Sequence, residues 1–254
     1  ECIADAFIGE VFPSGGGTAL EKALASLTIQ AGQAIDGDRE MLASMHRRSV
    51  AALSIDLPDD KPARRPFHWP LEFPEAFVCG NTGFDAFVGN PPFLGGKRIG
   101  RVLGDAYNGF LKKITFESKG AADLSAYFFR RAFELLRRNG CSGLLATNSI
   151  SQADTREVGL DPIANKGGAI YAATTLVVWP GTANVHASIV HITKGQWLGD
   201  SHLDGKTVST ISTRLSEDLG IAEKPFRLRS VFPNASGGTG LLGIGFVVDV
   251  DTRN

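Results

Sequence analysis

The alternation of strand and helix patterns between residues 84 and 194 constrains the fold most strongly. A short buried-strand pattern, FDAFVG, precedes an amphipathic helix pattern, DLSAYFFRRAFELLRRNG, and a second strand pattern, GCSGLLATNSI. Two more strand-like runs, GGAIYAATTLVVW and ANVHASIVHIT, flank the turn signal PGT and predict a hairpin. This order is typical of α/β proteins, so we expect a parallel sheet covered on both faces, with ligands at the carboxyl ends of its strands.

The central helix pattern carries a signal at each end. Asp123 is placed to cap its first turn, and Gly140 is placed to stop it. Apolar residues recur at helical spacing and predict one buried stripe, formed by Leu124, Tyr127, Phe128, Ala132, Leu135 and Leu136.

The rest of the chain divides around this core. Residues 1–66 hold two helix patterns and a Pro-rich linker, and residues 67–195 hold the alternating core, which opens with an aromatic stretch broken by prolines. Residues 196–254 begin with a hairpin pattern and become rich in glycine. We interpret them as the start of a second, mainly β domain.

Composition excludes several classes of protein. The chain has no run of eighteen apolar residues and no signal-peptide pattern at its start, which favours a cytoplasmic protein with no membrane contact. Its three cysteines are widely separated, and its two closest histidines, His186 and His191, are predicted to point to opposite faces of a strand. We therefore predict neither disulfides nor a metal site.

Charge is uneven along the chain, although the net charge is only −1. Between residues 91 and 140 there are ten Lys or Arg residues against four Asp or Glu residues. Two interpretations stay open at this point: a solvated helix face, or a surface that contacts phosphates.

The sequence NPPF, residues 90–93, ends the first strand pattern in an unusual way. Pro91 and Pro92 have no N–H group, so they cannot extend a strand ladder, and they hold a stiff loop with free carbonyl groups. The Asn90 side-chain oxygen and the Pro91 carbonyl could accept both hydrogens of a planar amine. Phe93 could stack on the ring that carries this amine, a contact of about 1–3 kcal/mol per base.

Three stretches together resemble a known family: GNPPFLGGKRI, LLATNSISQADTREVGL and VVWPGTANVHASIVHI. They are similar to adenine-specific DNA methyltransferases of restriction-modification and related phage-defence systems, some of which are fused to an endonuclease. The resemblance covers about residues 67–195. It implies a class I (Rossmann-like) methyltransferase sheet, of which this chain holds the carboxyl half with its terminal β-hairpin, and S-adenosylmethionine as cofactor.

The resemblance also implies roles for individual residues. Asn90, Pro91, Pro92 and Phe93 correspond to the catalytic loop that holds an adenine flipped out of double-stranded DNA, and Asn90 would also border the cofactor. Asn148 and Ser149 would line the target-base pocket, unless they form an ordinary turn. The candidate residues for contact with DNA phosphates are Lys97, Arg98, Arg101, Lys112 and Lys113.

The family's cofactor motif is a strand that enters a Gly-rich loop ahead of the catalytic loop, and residues 1–83 show no good match to it. We therefore expect the main cofactor site upstream of Glu1. The alternatives to a DNA adenine methyltransferase are an RNA or protein-glutamine amino-methyltransferase, or a fragment that binds DNA without cofactor. An associated or fused endonuclease is a further expectation from the resemblance.

Overall fold

A computed structural model describes residues 1–13, 17–58, 60–78, 80, 82–115, 120–178 and 186–218. Glu1–Asp218 forms one compact unit. The mainly β domain predicted for residues 196–254 lies, from residue 219 onward, outside the described residues, and so does the predicted PGT turn at residues 180–182.

The described part of the chain forms a mixed sheet whose strands are β1 (Phe84–Gly89), β2 (Leu136–Thr147), β3 (Gly168–Val178), β4 (His186–Lys194), β5 (Ser201–Leu203) and β6 (Lys206–Val208). The strand order in the sheet is β1-β2-β4-β3-β5-β6. Strands β1 and β2 are parallel, as are β3 and β5, whereas β4 runs antiparallel to both of its neighbours. The α/β class and the β3–β4 pairing are confirmed. The sheet is mixed, because β4 folds back antiparallel between β2 and β3, so the expected parallel pairing holds for β1 with β2 and for β3 with β5.

The helices lie between and before these strands. They are α1 (Cys2–Val11), α2 (Thr18–Ile35), α3 (Arg39–Leu53), α4 (Trp69–Glu72), α5 (Gly96–Leu103), α6 (Asp105–Ile114), α7 (Leu124–Leu135), α8 (Ala153–Val158) and α9 (Leu160–Asn165). Short 3₁₀ turns occupy Pro74–Ala76 and Asn148–Ser151. In the described ranges, none of these helices is both long and apolar enough to cross a membrane.

The main core lies between one face of the sheet and helices α7 to α9. It contains Leu144 and Ala146 of β2, Val190 of β4 and most of α7, nine of whose twelve residues are buried. The described helices do not cover the opposite face: Val88 of β1 is 90% exposed there. The expectation of helices on both faces therefore does not hold for the described residues.

The junction between α7 and β2 differs from the prediction. The helix ends at Leu135, and Gly140, the predicted stop signal, lies inside the strand. Lys194 explains the early end, because its ammonium group donates to the carbonyls of Glu134 (2.9 Å) and Leu136 (2.6 Å). The strand then bulges, so that residues 136 and 141 oppose residues 84 and 86 of β1.

Five of the six residues of the predicted stripe are buried, although one of the five, Leu136, is the first residue of β2 and not part of α7. Phe128 is the exception, with 42% of its surface exposed, and the adjacent Phe129 is buried instead at 1%. The cause is that α7 is buried on nearly all sides, so a single stripe underestimates its contact with the core.

Three sets of contacts hold the described residues before β1. Helices α1 to α3 pack around Ala6, Leu27 and Met45. The Arg64 guanidinium donates to the Ile55 and Leu103 carbonyls, both at 2.6 Å, which ties the linker to the end of α5. The aromatic stretch also packs on β1, where the Trp69 ring lies 5.5 Å from each of the Phe84 and Phe87 rings.

Candidate active site

The parallel register of β1 and β2 brings the two predicted site loops to one edge of the sheet. Gly89 lies opposite Leu144, so the next residue, Asn90, is level with Leu145. Asn148 follows three residues later at the end of β2, about 10 Å further along the strand direction at the usual rise per residue. This edge is the one where open α/β sheets bind ligands.

The NPPF loop alternates buried and open positions. Asn90 and Pro92 are exposed, Pro91 is buried and Phe93 is half-buried. The prolines fix the backbone dihedral φ here, which limits the conformations available to the loop. The loop therefore presents the Asn90 side chain while Pro91 anchors it.

The segment after Phe93 is anchored on the start of α7. The Leu124 N–H donates to the Leu94 carbonyl at 2.9 Å, which satisfies one of the N–H groups left free at a helix start. Gly96 lies so close to the Ala121 backbone that a Cβ there would collide with the Ala121 carbonyl group. Gly95, by contrast, faces open space.

The loop after β2 is a 3₁₀ turn held by its own hydroxyl groups. The Thr147 and Ser149 hydroxyl oxygens are 2.7 Å apart, and the Ser151 hydroxyl donates to the Asn148 carbonyl at 3.1 Å. Ile150 is completely buried and fixes the turn to the core. The Ser149 hydroxyl is thus engaged locally, whereas the half-buried Asn148 side chain has no hydrogen bond to another described residue.

The predicted basic residues separate into two groups. On α5, Lys97, Arg98 and Arg101 are exposed on the side opposite Ile99, which is only 1% exposed. None of these three cations forms an ion pair within the described residues. The other two predicted phosphate contacts, Lys112 and Lys113, are half-buried in the last turn of α6, where a positive charge stabilises the helix end.

A cavity of about 410 Å³ opens beside Asn90 on the sheet face that the described helices leave uncovered. His191 lines it, and its Nδ1 atom is buried without a hydrogen-bond partner among the described residues. Tyr171 also lines it and stacks on Trp197 with ring centroids 4.4 Å apart. Burial raises the pKa of the Tyr171 phenol, and the nearby Cys141 thiol adds to this rise. These side chains lie fifty residues or more from Asn90 along the chain, so no local sequence pattern connects them with it.

A sequence model of the family named Eco57I restriction-modification methylase matches residues 35–161, which is half of the chain. The match includes the NPPF loop, α7, β2 and the turn that follows it. This chain belongs to that family. The resemblance predicted from the sequence is thereby confirmed at the level of a restriction-modification methylase.

Solved structures with a similar arrangement share little sequence with this methylase. The type IIL restriction-modification enzyme MmeI, solved in complex with DNA, is 20% identical, with a TM-score of 0.47 over 67% of this chain and 22% of its own. A Listeria monocytogenes protein described as a class I S-adenosylmethionine-dependent methyltransferase is 14% identical, with a TM-score of 0.35 over 80% and 63%. The M protein of the type I restriction enzyme EcoKI is 12% identical, with a TM-score of 0.31 over 77% and 43%.

This methylase spans about a fifth of the length of MmeI and less than two-thirds of the other two chains. No curated protein matches its sequence.

S-adenosylmethionine is the cofactor that a methylase of this class uses, as the sequence analysis expected. The described residues do not by themselves fit it. Before β1 they form helices and an aromatic segment, and the described ranges contain no strand that enters a Gly-rich loop ahead of Asn90. Within the described residues, they supply the carboxyl ends of β1 and β2 and no enclosure for a nucleoside.

The contrast between the two glycines after Phe93 gives a test of how the loop is held. We expect Gly96→Ala to lower the free energy of unfolding by about 1–3 kcal/mol, because its methyl group must displace the Ala121 backbone. Gly95→Ala, the matched control in open space, should stay within about 0.5 kcal/mol of the parent. Urea denaturation of the 254-residue chain measures both. Equal effects of the two substitutions would contradict this account of the loop.

Proposed function

We propose that this chain is part of a site-specific DNA methyltransferase, which methylates the exocyclic amino group of adenine within a restriction-modification or phage-defence system. The observation that supports this most is the position of the NPPF loop. Asn90 is exposed at the carboxyl end of β1, next to the loop that ends β2. An acceptor-rich, stiff loop at that edge suits a planar amine as substrate.

The chemistry proposed for the loop uses oxygen acceptors only. The Asn90 side-chain oxygen and the Pro91 carbonyl accept the two amine hydrogens, which draws the nitrogen lone pair out of conjugation with the ring. Phe93 stacks on the base and holds its orientation. Because the adenine amine lies inside the duplex stack, the base must be flipped out to reach this loop. The methyl group itself comes from S-adenosylmethionine when that cofactor is bound.

The proposed polymer is double-stranded DNA, supported by the charge on α5. Lys97, Arg98 and Arg101 begin four residues after Phe93 and have no carboxylate partner among the described residues, so they are available to phosphates next to the flipped base. MmeI, a structural relative, was solved in complex with DNA. Lys112, Lys113, Asn148 and Ser149 remain proposed contacts, and an endonuclease, fused or separate, remains a proposed partner.

For the cofactor, we propose that Asn90 borders the bound donor and that residues outside the described ranges supply its remaining contacts. β1 is an outer strand of the sheet, and its outer side has no strand partner among the described residues. Asn90 directly follows β1, so it lies at the end of this unpaired side.

The central test is Asn90→Ala in the full-length protein. We expect the methylation rate on DNA to fall at least about 100-fold, since one of two acceptors for the amine is lost where charge develops. Asn165→Ala, an exposed residue at the end of α9, is the control and should keep full activity. Transfer of labelled methyl groups measures both. Turnover retained by Asn90→Ala would rule out the proposed catalytic role.

The same assay distinguishes the three classes of methyl acceptor: DNA, RNA and protein. Parallel reactions contain duplex DNA, ribosomal RNA or a glutamine-containing protein, each with the labelled donor. Label in adenine of DNA supports the proposal, and label only in RNA or protein contradicts it.

A second test concerns the α5 cations. Replacing Lys97, Arg98 and Arg101 together by Gln should weaken DNA binding. The negative slope of log association constant against log salt concentration should become shallower by up to about 3, if each cation neutralises one phosphate. The control is the matched triple substitution of Lys22, Arg39 and Arg47, which are exposed cations on α2 and α3. An equal loss in both triple variants would mean that α5 contributes only general charge.

A third test addresses the cofactor. Titration calorimetry of the 254-residue chain with S-adenosylmethionine should detect binding no tighter than about 1 mM, because the described residues provide one edge of a site. A dissociation constant in the low micromolar range would show that these 254 residues complete the site. It would also exclude the alternative of a fragment that binds DNA without cofactor.

A further inference from the structure

Two side chains outside the NPPF loop hold the segment on which that loop rests. Asp154 and Thr155 lie at the start of α8, just after the turn that ends β2. The Asp154 Oδ2 atom accepts the Ala121 N–H at 2.8 Å, and the Thr155 hydroxyl oxygen accepts the Asp123 N–H at 3.1 Å. The backbone between Ala121 and Asp123 is therefore fixed near both of its ends from another part of the chain.

This segment is also the one that contacts the NPPF loop. Leu124, the next residue, donates its N–H to the Leu94 carbonyl, and Gly96 rests against the Ala121 backbone. Residues 121–124 thus form a bridge: α8 holds one side of it, and the chain directly after Phe93 rests on the other. We call this segment the bridge segment.

Burial shows that the Thr155 hydrogen bond is part of the core. Thr155 and Asp123 are each 7% exposed, and Ala122 between the bonded groups is 1% exposed. A buried N–H that loses its acceptor cannot turn to water, so loss of this hydroxyl must shift the bridge segment. The Asp123 carboxylate has its own partners in the first turn of α7, because its Oδ1 atom accepts from the Ser125 N–H and hydroxyl.

Backbone geometry around Asp154 also indicates that the contact between α8 and the bridge segment is tightly held. Gly120 has φ of +125°, and a Cβ on it would collide with the Asp154 carboxylate. Ala153, directly before Asp154, has φ of +37°, an unfavourable value for a residue with a side chain. Strain of this kind persists only where the surrounding contacts hold it in place.

We propose that Asp154 and Thr155 are positioning residues that fix the NPPF loop relative to the loop after β2, through the bridge segment. A base held by Asn90 and Phe93 would then keep a constant position relative to Asn148. The catalytic meaning of this link rests on the proposed function, whereas the mechanical link itself does not.

The test uses Thr155→Val in the full-length protein, with Thr155→Ser as rescue. Valine keeps the volume of threonine and removes the acceptor, and serine restores the acceptor. The control is Thr193→Val in β4, which removes another buried hydroxyl, one that donates to the Gly140 carbonyl at 3.4 Å far from the bridge segment.

The first readout is amide hydrogen exchange, which needs no substrate. We expect exchange of the amides within residues 90–98, which exclude Pro91 and Pro92, to rise at least about fivefold in Thr155→Val, to return to the parent rate in Thr155→Ser and to stay unchanged in Thr193→Val. Faster exchange confined to residues 120–126, or none at all, would overturn the link. If Thr155→Val loses protection from exchange throughout the molecule, Asp154→Ala becomes the test variant. It must show the same local rise at residues 90–98, and no such rise would also overturn the link.

The second readout is methylation of DNA. We expect kcat to fall about tenfold in Thr155→Val, with KM for DNA changed less than about twofold, and Thr155→Ser to recover the loss. An unchanged kcat together with faster exchange at residues 90–98 would overturn the positioning role. If the parent protein methylates no DNA, the proposed function fails, and hydrogen exchange still decides the mechanical link.

Discussion

The parallel pairing of β1 with β2 is the constraint on which the rest of this structure depends. It requires a crossover, which contains α5, α6 and α7, and the last of these helices is buried on almost all sides. Because the two strands run in the same direction, the loops that follow them open at one edge. An antiparallel pair would have put Asn90 and Asn148 at opposite ends of the sheet.

The crossover does more than connect the strands, because each end of α7 is held by a distant part of the chain. Its start contacts Leu94, the residue after the NPPF loop, and contacts α8 through Thr155, while its end is capped by Lys194 from β4. Free N–H and carbonyl groups at the two helix ends are thus satisfied by elements that must be in place for the site to form. Correct pairing of β4 in the sheet and correct shape of the NPPF loop therefore depend on the same helix.

Local features of the site could be predicted from the sequence, and long-range features could not. The strand before Asn90, the Asp123 cap and the β3–β4 hairpin follow from residue patterns a few positions long. The early end of α7 depends on Lys194, nearly sixty residues away, so Gly140 was a misleading stop signal. Asp154 and Thr155 were passed over for the same reason. Their acidic and hydroxyl groups at a helix start are typical of ordinary capping, and only the fold shows that they accept from residues 121 and 123.

Charge illustrates the same limit, since a count of basic residues does not say which of them are available to a ligand. Of the ten between residues 91 and 140, Arg130 is buried and donates to the Thr115 carbonyl, and Arg137 pairs with Asp85 at 2.6 Å. These two guanidinium groups stabilise α7 and the start of the β1–β2 pair. The α5 cations form no ion pair within the described residues, and they begin four residues after Phe93. For α5, the two interpretations of the basic region, a solvated face and a surface that contacts phosphates, are separated by the salt dependence of DNA binding.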